Sequence, residues 1–227
     1  MRWFTIIVLL PFMFISLHLD GKAGNVEDVI SNLKSRFGIV IDIPQCTRAY
    51  SIGIGFRGNV YKQLLDDFFE IAITDTVKGV AVLISGVCLT DKDSHYYKQQ
   101  IKNQILRSVG SMDENGNRIS GLEIDENKYL TEISGAFINR RANADTLLIT
   151  AIPLDKGSFI FMSDRKHLDT SQSVRNIVTS LPYMYKCVLY SSRKCAISFV
   201  VLLKDDNESN HLKHIIDVME WFKFNPD

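Results

Sequence analysis

The chain has 227 residues, with 26 Lys and Arg set against 26 Asp and Glu, a formal net charge of zero. That balance argues against a nucleic-acid binder, which concentrates its cations into a basic footprint. A hydrophobic fraction of 46% beside a charged fraction of 23% excludes a disordered chain and is enough for one large domain or two small ones.

Residues 1–23 read as a secretory signal peptide. Arg2 supplies a positive start, residues 3–19 are almost wholly apolar, and Gly21-Lys22-Ala23 places small residues ahead of a cut between Ala23 and Gly24. The competing reading is an uncleaved anchor, because a spanning helix needs ~20 apolar residues. The run stands at the lower end of that requirement, and Pro11 and His18 interrupt it. Cleavage predicts a periplasmic or secreted protein; membrane attachment is expected only if the segment is retained. No cysteine near the exit offers an acceptor for lipoprotein acylation.

Residues 25–37 set Val26, Val29, Ile30, Leu33 and Phe37 at helical spacing, with Asn25 as cap and Gly38 as stop. Residues 39–43 form a strand closed by Pro44. In residues 51–56, Ile52, Ile54 and Phe56 alternate with Gly53 and Gly55, a strand closely approached on one side. After Gly58-Asn59 a helix over 60–70 carries Leu64, Leu65, Phe68 and Phe69 inward. Paired strands at 71–74 and 80–85 complete an α-β-β-α-β-β unit.

The runs Phe37-Gly38-Ile39-Val40, Phe56-Arg57-Gly58-Asn59-Val60, Leu64-Leu65 and Val80-Ala81-Val82-Leu83-Ile84 make residues 25–85 resemble the short N-terminal domain of secretins and TonB-dependent receptors. The resemblance covers about a quarter of the chain and implies a periplasmic docking module. Cys46 and Cys88 form no part of that pattern, and too few residues follow for a barrel or a secretin pore.

Further along, residues 94–109 read as a helix, 112–121 as a polar loop, and 126–140 as a helix with Tyr129, Leu130, Ile133 and Phe137 inward. Strands at 146–153 and 158–163 are expected as a hairpin turned by Asp155-Lys156-Gly157. A helix over 171–181 precedes Pro182. Two apolar runs, 186–190 and 195–203, flank the polar Ser191-Ser192-Arg193-Lys194, and a last helix over 209–222 shows a stripe of Leu212, Ile215, Ile216, Met219 and Phe222. The expected fold is α+β, a small α/β module over 24–90 followed by an antiparallel sheet over 91–227 with helices packed on one face.

Four cysteines remain beyond the signal segment, and an even count in an exported chain suggests disulfides. Three pairings are open to four cysteines. The hairpin favours Cys187 with Cys195, which leaves Cys46 for Cys88. A structural zinc site is not expected, since close Cys-x(2–4)-Cys pairs are missing.

The chemistry-bearing motifs are incomplete. Asp113, Asn115 and Asn117 match the first oxygens of a calcium loop, but Arg118 stands at the glycine position and Glu123 falls one residue early, so a solvated turn is the commoner origin of this spelling. His211 and His214 lie three apart and flank the apolar stripe of the last helix, which reads as a half-exposed pair rather than a zinc site. Gly53, Gly55 and Gly58 spell Gly-x-Gly-x-x-Gly inside a strand pattern rather than between strand and helix. No Gly-x-Ser-x-Gly turn surrounds a serine, and His95 and His167 lack a recognisable nucleophile partner. Asn207-Glu208-Ser209 is a glycosylation sequon, relevant to a eukaryotic source, and Arg140-Arg141 reads as a charged helix end.

The sequence thus predicts an exported, disulfide-bearing protein that acts through contact with a protein partner, as an envelope docking or assembly factor. No cofactor, catalytic residue or metal is assigned, and nucleic acid is not an expected partner. The competing class is a secreted hydrolase whose site residues meet only in three dimensions.

Overall fold

Residues 80–84 are apolar at consecutive positions, as are 196–203 apart from Ser198, and a strand of that kind is stable only inside a sheet covered on both faces. A computed structural model places them there. It describes residues 26–45, 47–58, 68–89, 95–96, 99, 130–152, 159–163 and 168–226. The strands are β1 (Ile39–Ile41), β2 (Arg48–Gly58), β3 (Phe68–Asp75), β4 (Val80–Leu89), β5 (Leu130–Ser134), β6 (Thr146–Ile152), β7 (Phe159–Ser163), β8 (Tyr183–Tyr190), β9 (Ala196–Leu203) and β10 (Phe222–Phe224). The helices are α1 (Val26–Phe37), α2 (Ala136–Ala142), α3 (Leu168–Thr179) and α4 (Glu208–Met219).

Eight strands form one antiparallel sheet in the order β5-β6-β8-β9-β4-β3-β2-β7, and β1 pairs with β10 in a separate two-stranded ribbon. All eight residues of β9 are buried. Alternate residues serve opposite faces, as the period of two requires. Ile197, Phe199, Val201 and Leu203, with Val82, Ile84, Leu147 and Ile149, meet Leu33 of α1, Ile138 and Ala142 of α2, and Ile215, Val218 and Met219 of α4. The ribbon joins this side through Ile39, Ile41, Phe222 and Phe224, with Phe222 stacked on Phe199 at 4.5 Å. Val200, Leu202, Ala81 and Leu83 face the other way and pack with Val174 of α3.

The α+β class expected from the pattern is the one observed. Three details differ. Helices cover both faces of the sheet rather than one, because β4 and β9 are apolar on both sides and each side needs a cover. The stretches expected as separate modules over 24–90 and 91–227 build one sheet, since β4 is hydrogen-bonded along β9 from Val80↔Leu203 to Leu89↔Ala196. The expected hairpin of β6 with β7 does not form: β6 lies between β5 and β8, while β7 pairs with β2 at the opposite edge.

Parts of two expected helices are strand, the end of 60–70 and the middle of 126–140. Phe68 and Phe69 pair with Gly55 and Ile54 of β2, so 68–70 extend β3; residues 59–67 lie outside the described residues. Leu130–Ser134 pair with β6, and Gly135, at φ +83°, separates them from α2. In both places a ladder to a neighbouring strand outweighs a helical spacing of apolar residues. The last helix ends at Met219, and Phe222-Lys223-Phe224 alternates buried and exposed positions as β10.

Tight turns fix the register of the central pair. The Asp75 carboxylate accepts from the backbone N–H of Val77 (3.1 Å) and of Lys78 (2.9 Å), closing β3 onto β4. Gly79 follows at φ +63°, where a Cβ would stand 2.7 Å from that of Lys204. Further along β4, Gly86 leaves room for the half-buried Glu70 carboxyl, which a side chain there would strike.

Candidate functional site

The disulfide framework is the first correction. Cys88 is bonded to Cys195, with Cα atoms 6.2 Å apart and a sequence separation of 107. The expected Cys187–Cys195 bridge fails on register. The β8–β9 hairpin closes at Tyr190↔Ala196, and Ser191 N–H donates to the Cys195 carbonyl at 2.9 Å, so Cys195 faces Ser191. Cys187 is four positions further along and faces Phe199, a separation of about 13 Å along the strand. Cys88 instead approaches from the other flank of β9, opposite Ile197. This also removes the expected Cys46–Cys88 bond; Cys46 itself lies outside the described residues. Cys187 is a free thiol, fully buried, and burial pushes its pKa far up, so it has no thiolate character.

The calcium-loop residues Asp113, Asn115, Asn117 and Glu123, together with His167 and the signal segment, lie outside the described residues. Gly53, Gly55 and Gly58 fall within β2, in line with a strand and not with a phosphate-binding turn. Among the described residues no cluster of three or more His, Cys, Asp and Glu side chains is placed to hold a metal ion.

The histidine pair is the second correction. His211 is 2% exposed and belongs to the buried side of α4, whereas Leu212, expected in the stripe, is 43% exposed. Ile215, Ile216 and Met219 keep their expected side, and His211 takes the inward place at the start of the helix because its ring is satisfied inside. Its Nε2–H donates to the Asp205 carbonyl at 2.5 Å, which leaves Nδ1 to accept from the Tyr185 hydroxyl at 2.6 Å. The Tyr183 ring lies against it at 4.5 Å. His214 stays half-buried, its Nε2 3.1 Å from the Asp205 carboxylate.

Asp205 gathers the turn between β9 and α4. Its carboxylate accepts from Asn207 N–H (2.9 Å) and Asn210 Nδ2 (3.0 Å), and these bonds with His214 hold its pKa at about 2. Asn207, the sequon asparagine, caps α4 by accepting from Ser209 N–H at 3.2 Å. Burial, and then the Glu208 carboxylate, push the Tyr185 hydroxyl pKa up. With both ring nitrogens engaged, His211 has no lone pair free for an outside nucleophile. The cluster pins β8, the turn and α4 together.

A groove of about 330 Å³ opens between the end of α2 and the β1–β10 ribbon. Asn143, in left-handed conformation at φ 52°, ends α2, and its Nδ2 donates to the Phe224 carbonyl at 3.0 Å. That bond docks the helix end against β10. Val40 and Pro226 supply the apolar lining, and Arg140, Arg141 and Lys223 the cationic one. The Arg141 guanidinium lies 3.9 Å over the exposed Phe137 ring, and its Nε is 2.6 Å from Glu220. Lys223 Nζ is 3.1 Å from the Asp42 carboxylate. In the sequence Arg140-Arg141 marks only a helix end; the ribbon pairing that brings Lys223 beside them has no local signal.

No helix among the described residues is long and apolar enough to cross a membrane. The chain matches no family model, and neither curated proteins nor solved structures yield a match.

Proposed function

We propose that this is an exported protein that works by docking onto another protein, as an envelope docking or assembly factor of the kind the secretin-like N-terminal pattern implies. The groove between α2 and the β1–β10 ribbon is the observation that carries the reading. It offers apolar lining with a cationic rim next to the exposed Phe137, the mixture of anchor and polar rim that protein interfaces use. Export is supported by the signal-like residues 1–23 and by the Cys88–Cys195 disulfide, a bond that persists in oxidising compartments.

Site-specific photo-crosslinking in the producing cell tests the docking role. A benzophenone side chain at Phe137 should trap a discrete partner adduct, whereas one at Val77, exposed in the β3–β4 turn, should not. Adducts absent at Phe137, or equal at both positions, overturn the docking assignment. N-terminal sequencing of the exported product tests the address: a mature start at Gly24 is expected, and a start at Met1 overturns cleavage.

A further inference from the structure

We propose that the groove recognises a short acidic segment of the protein partner, its carboxylates held by Arg140 and Lys223 and an adjoining apolar side chain seated on Val40 and Pro226. This rests on the docking role argued above and names the chemistry of what docks.

The charge distribution points that way. The chain as a whole is neutral, yet the described lining of this groove holds three cations and no carboxylate. Arg140 is exposed and makes no ion pair among the described residues. Arg141 and Lys223 each hold one carboxylate, Glu220 and Asp42, at the outer edge. In both pairs the side chains are well exposed, and such pairs contribute little, so exchanging a carboxylate for one from a partner is nearly neutral. A cation with no partner of its own, between two that exchange easily, forms a site of unsatisfied charge.

The remaining lining fits a peptide better than a bare anion. Asn139 and Asn225 bring side-chain amides, each able to donate to and accept from an extended backbone. Val40 and Pro226 give an apolar wall, which an inorganic anion would leave unused. The volume lies at the lower end of ligand sites, so the segment is short. The Asn143–Phe224 bond fixes the spacing of the two walls without any ligand, so little ordering is needed on binding.

The test is fluorescence anisotropy on the full mature chain. The probes are a labelled pentapeptide of sequence Glu-Asp-Phe-Asp-Glu, its Gln/Asn counterpart and its Lys counterpart. The acidic peptide should bind tightest and lose affinity as salt rises. Arg140→Glu and Lys223→Glu should each weaken it by about tenfold or more, as removal of a close charge pair does. Lys213→Glu, on exposed α4 surface, should change it less than about twofold. Arg140→Gln provides a milder variant should charge reversal disturb folding, with circular dichroism as the check. Equal binding of the three peptides, or full affinity in folded Arg140→Gln and Lys223→Glu, overturns the proposal. Displacement by polyphosphate as readily as by the peptide reduces it to unspecific anion attraction and overturns it too. If the peptide fails while the Phe137 adduct still forms, the acidic chemistry falls and the docking role stands.

Discussion

The Tyr185 hydroxyl donates to Nδ1 of His211 at 2.6 Å, and this single bond connects the middle of β8 to the first turns of α4. It lets a histidine occupy the position on the helix that an apolar residue would otherwise take. A buried polar ring is stable there only because both of its nitrogens are paired.

Tyr185→Phe removes the donor and keeps the ring. The stranded Nδ1 should lower stability by about 1–3 kcal/mol. Urea denaturation checks this, and a change within error of zero would show that the ring finds another partner.

Non-reducing peptide mapping should recover Cys88 joined to Cys195, with Cys187 unmodified by a thiol reagent until the protein is unfolded. Cys88→Ser with Cys195→Ser should cost about 2–5 kcal/mol by denaturant titration, because the bond closes a long loop. A Cys187–Cys195 peptide in native protein would contradict the register of the hairpin.

How much of this was legible differs from element to element. The helix α1 was readable because Val26, Val29, Ile30, Leu33 and Phe37 share one side, and Gly38, at φ +67°, ends it. The β8–β9 hairpin was readable because four polar residues separate two apolar runs. Both signals are local. The choice of neighbours for β6 and β7 is not, since strands with the same alternation fit any edge of a sheet; the turn signal at Asp155-Lys156-Gly157 indicated a hairpin that the sheet does not contain. The disulfide was misassigned for the same reason: Cys88 reaches Cys195 through a pairing of β4 with β9 that no short-range pattern announces. The burial of His211 has no local signal, since polarity favours a half-exposed position and only Tyr185 and Asp205 make the buried one possible. The groove depends on Ile39 meeting Phe224 from opposite regions of the chain.

Glu70 should make stability depend on pH. Burial raises its pKa above the usual 4.5, opposed in part by a hydrogen bond from the Gly86 backbone. The folded protein therefore holds a proton that the unfolded chain releases, and this contribution is lost as pH rises through the folded value. Glu70→Gln keeps an acceptor for Gly86 and removes the charge. The variant should gain on the wild type as pH rises above about 4, the ordinary carboxylate value. Parallel denaturation curves across that range would refute the assignment.

Gly79→Ala meets two obstacles. The left-handed φ of +63° disfavours any Cβ by about 1–2 kcal/mol. The methyl also presses on Lys204, whose N–H donates to the Gly79 carbonyl at 2.9 Å. Thermal unfolding should show a loss of at least that size, and the double variant with Lys204→Gly should recover part of it.

The adjacency of β4 and β9 has a consequence for how the chain is made. A polypeptide that emerges N-terminus first exposes Cys88 and the bonding edge of β4 while Cys195 is still 107 residues behind. Until β9 arrives, that edge is an open template for the wrong strand, and its cysteine is free to react with another thiol. Closure that waits until the last third of the chain has emerged removes that interval. The order of the strands thus makes vectorial emergence the hazardous moment in this protein's life.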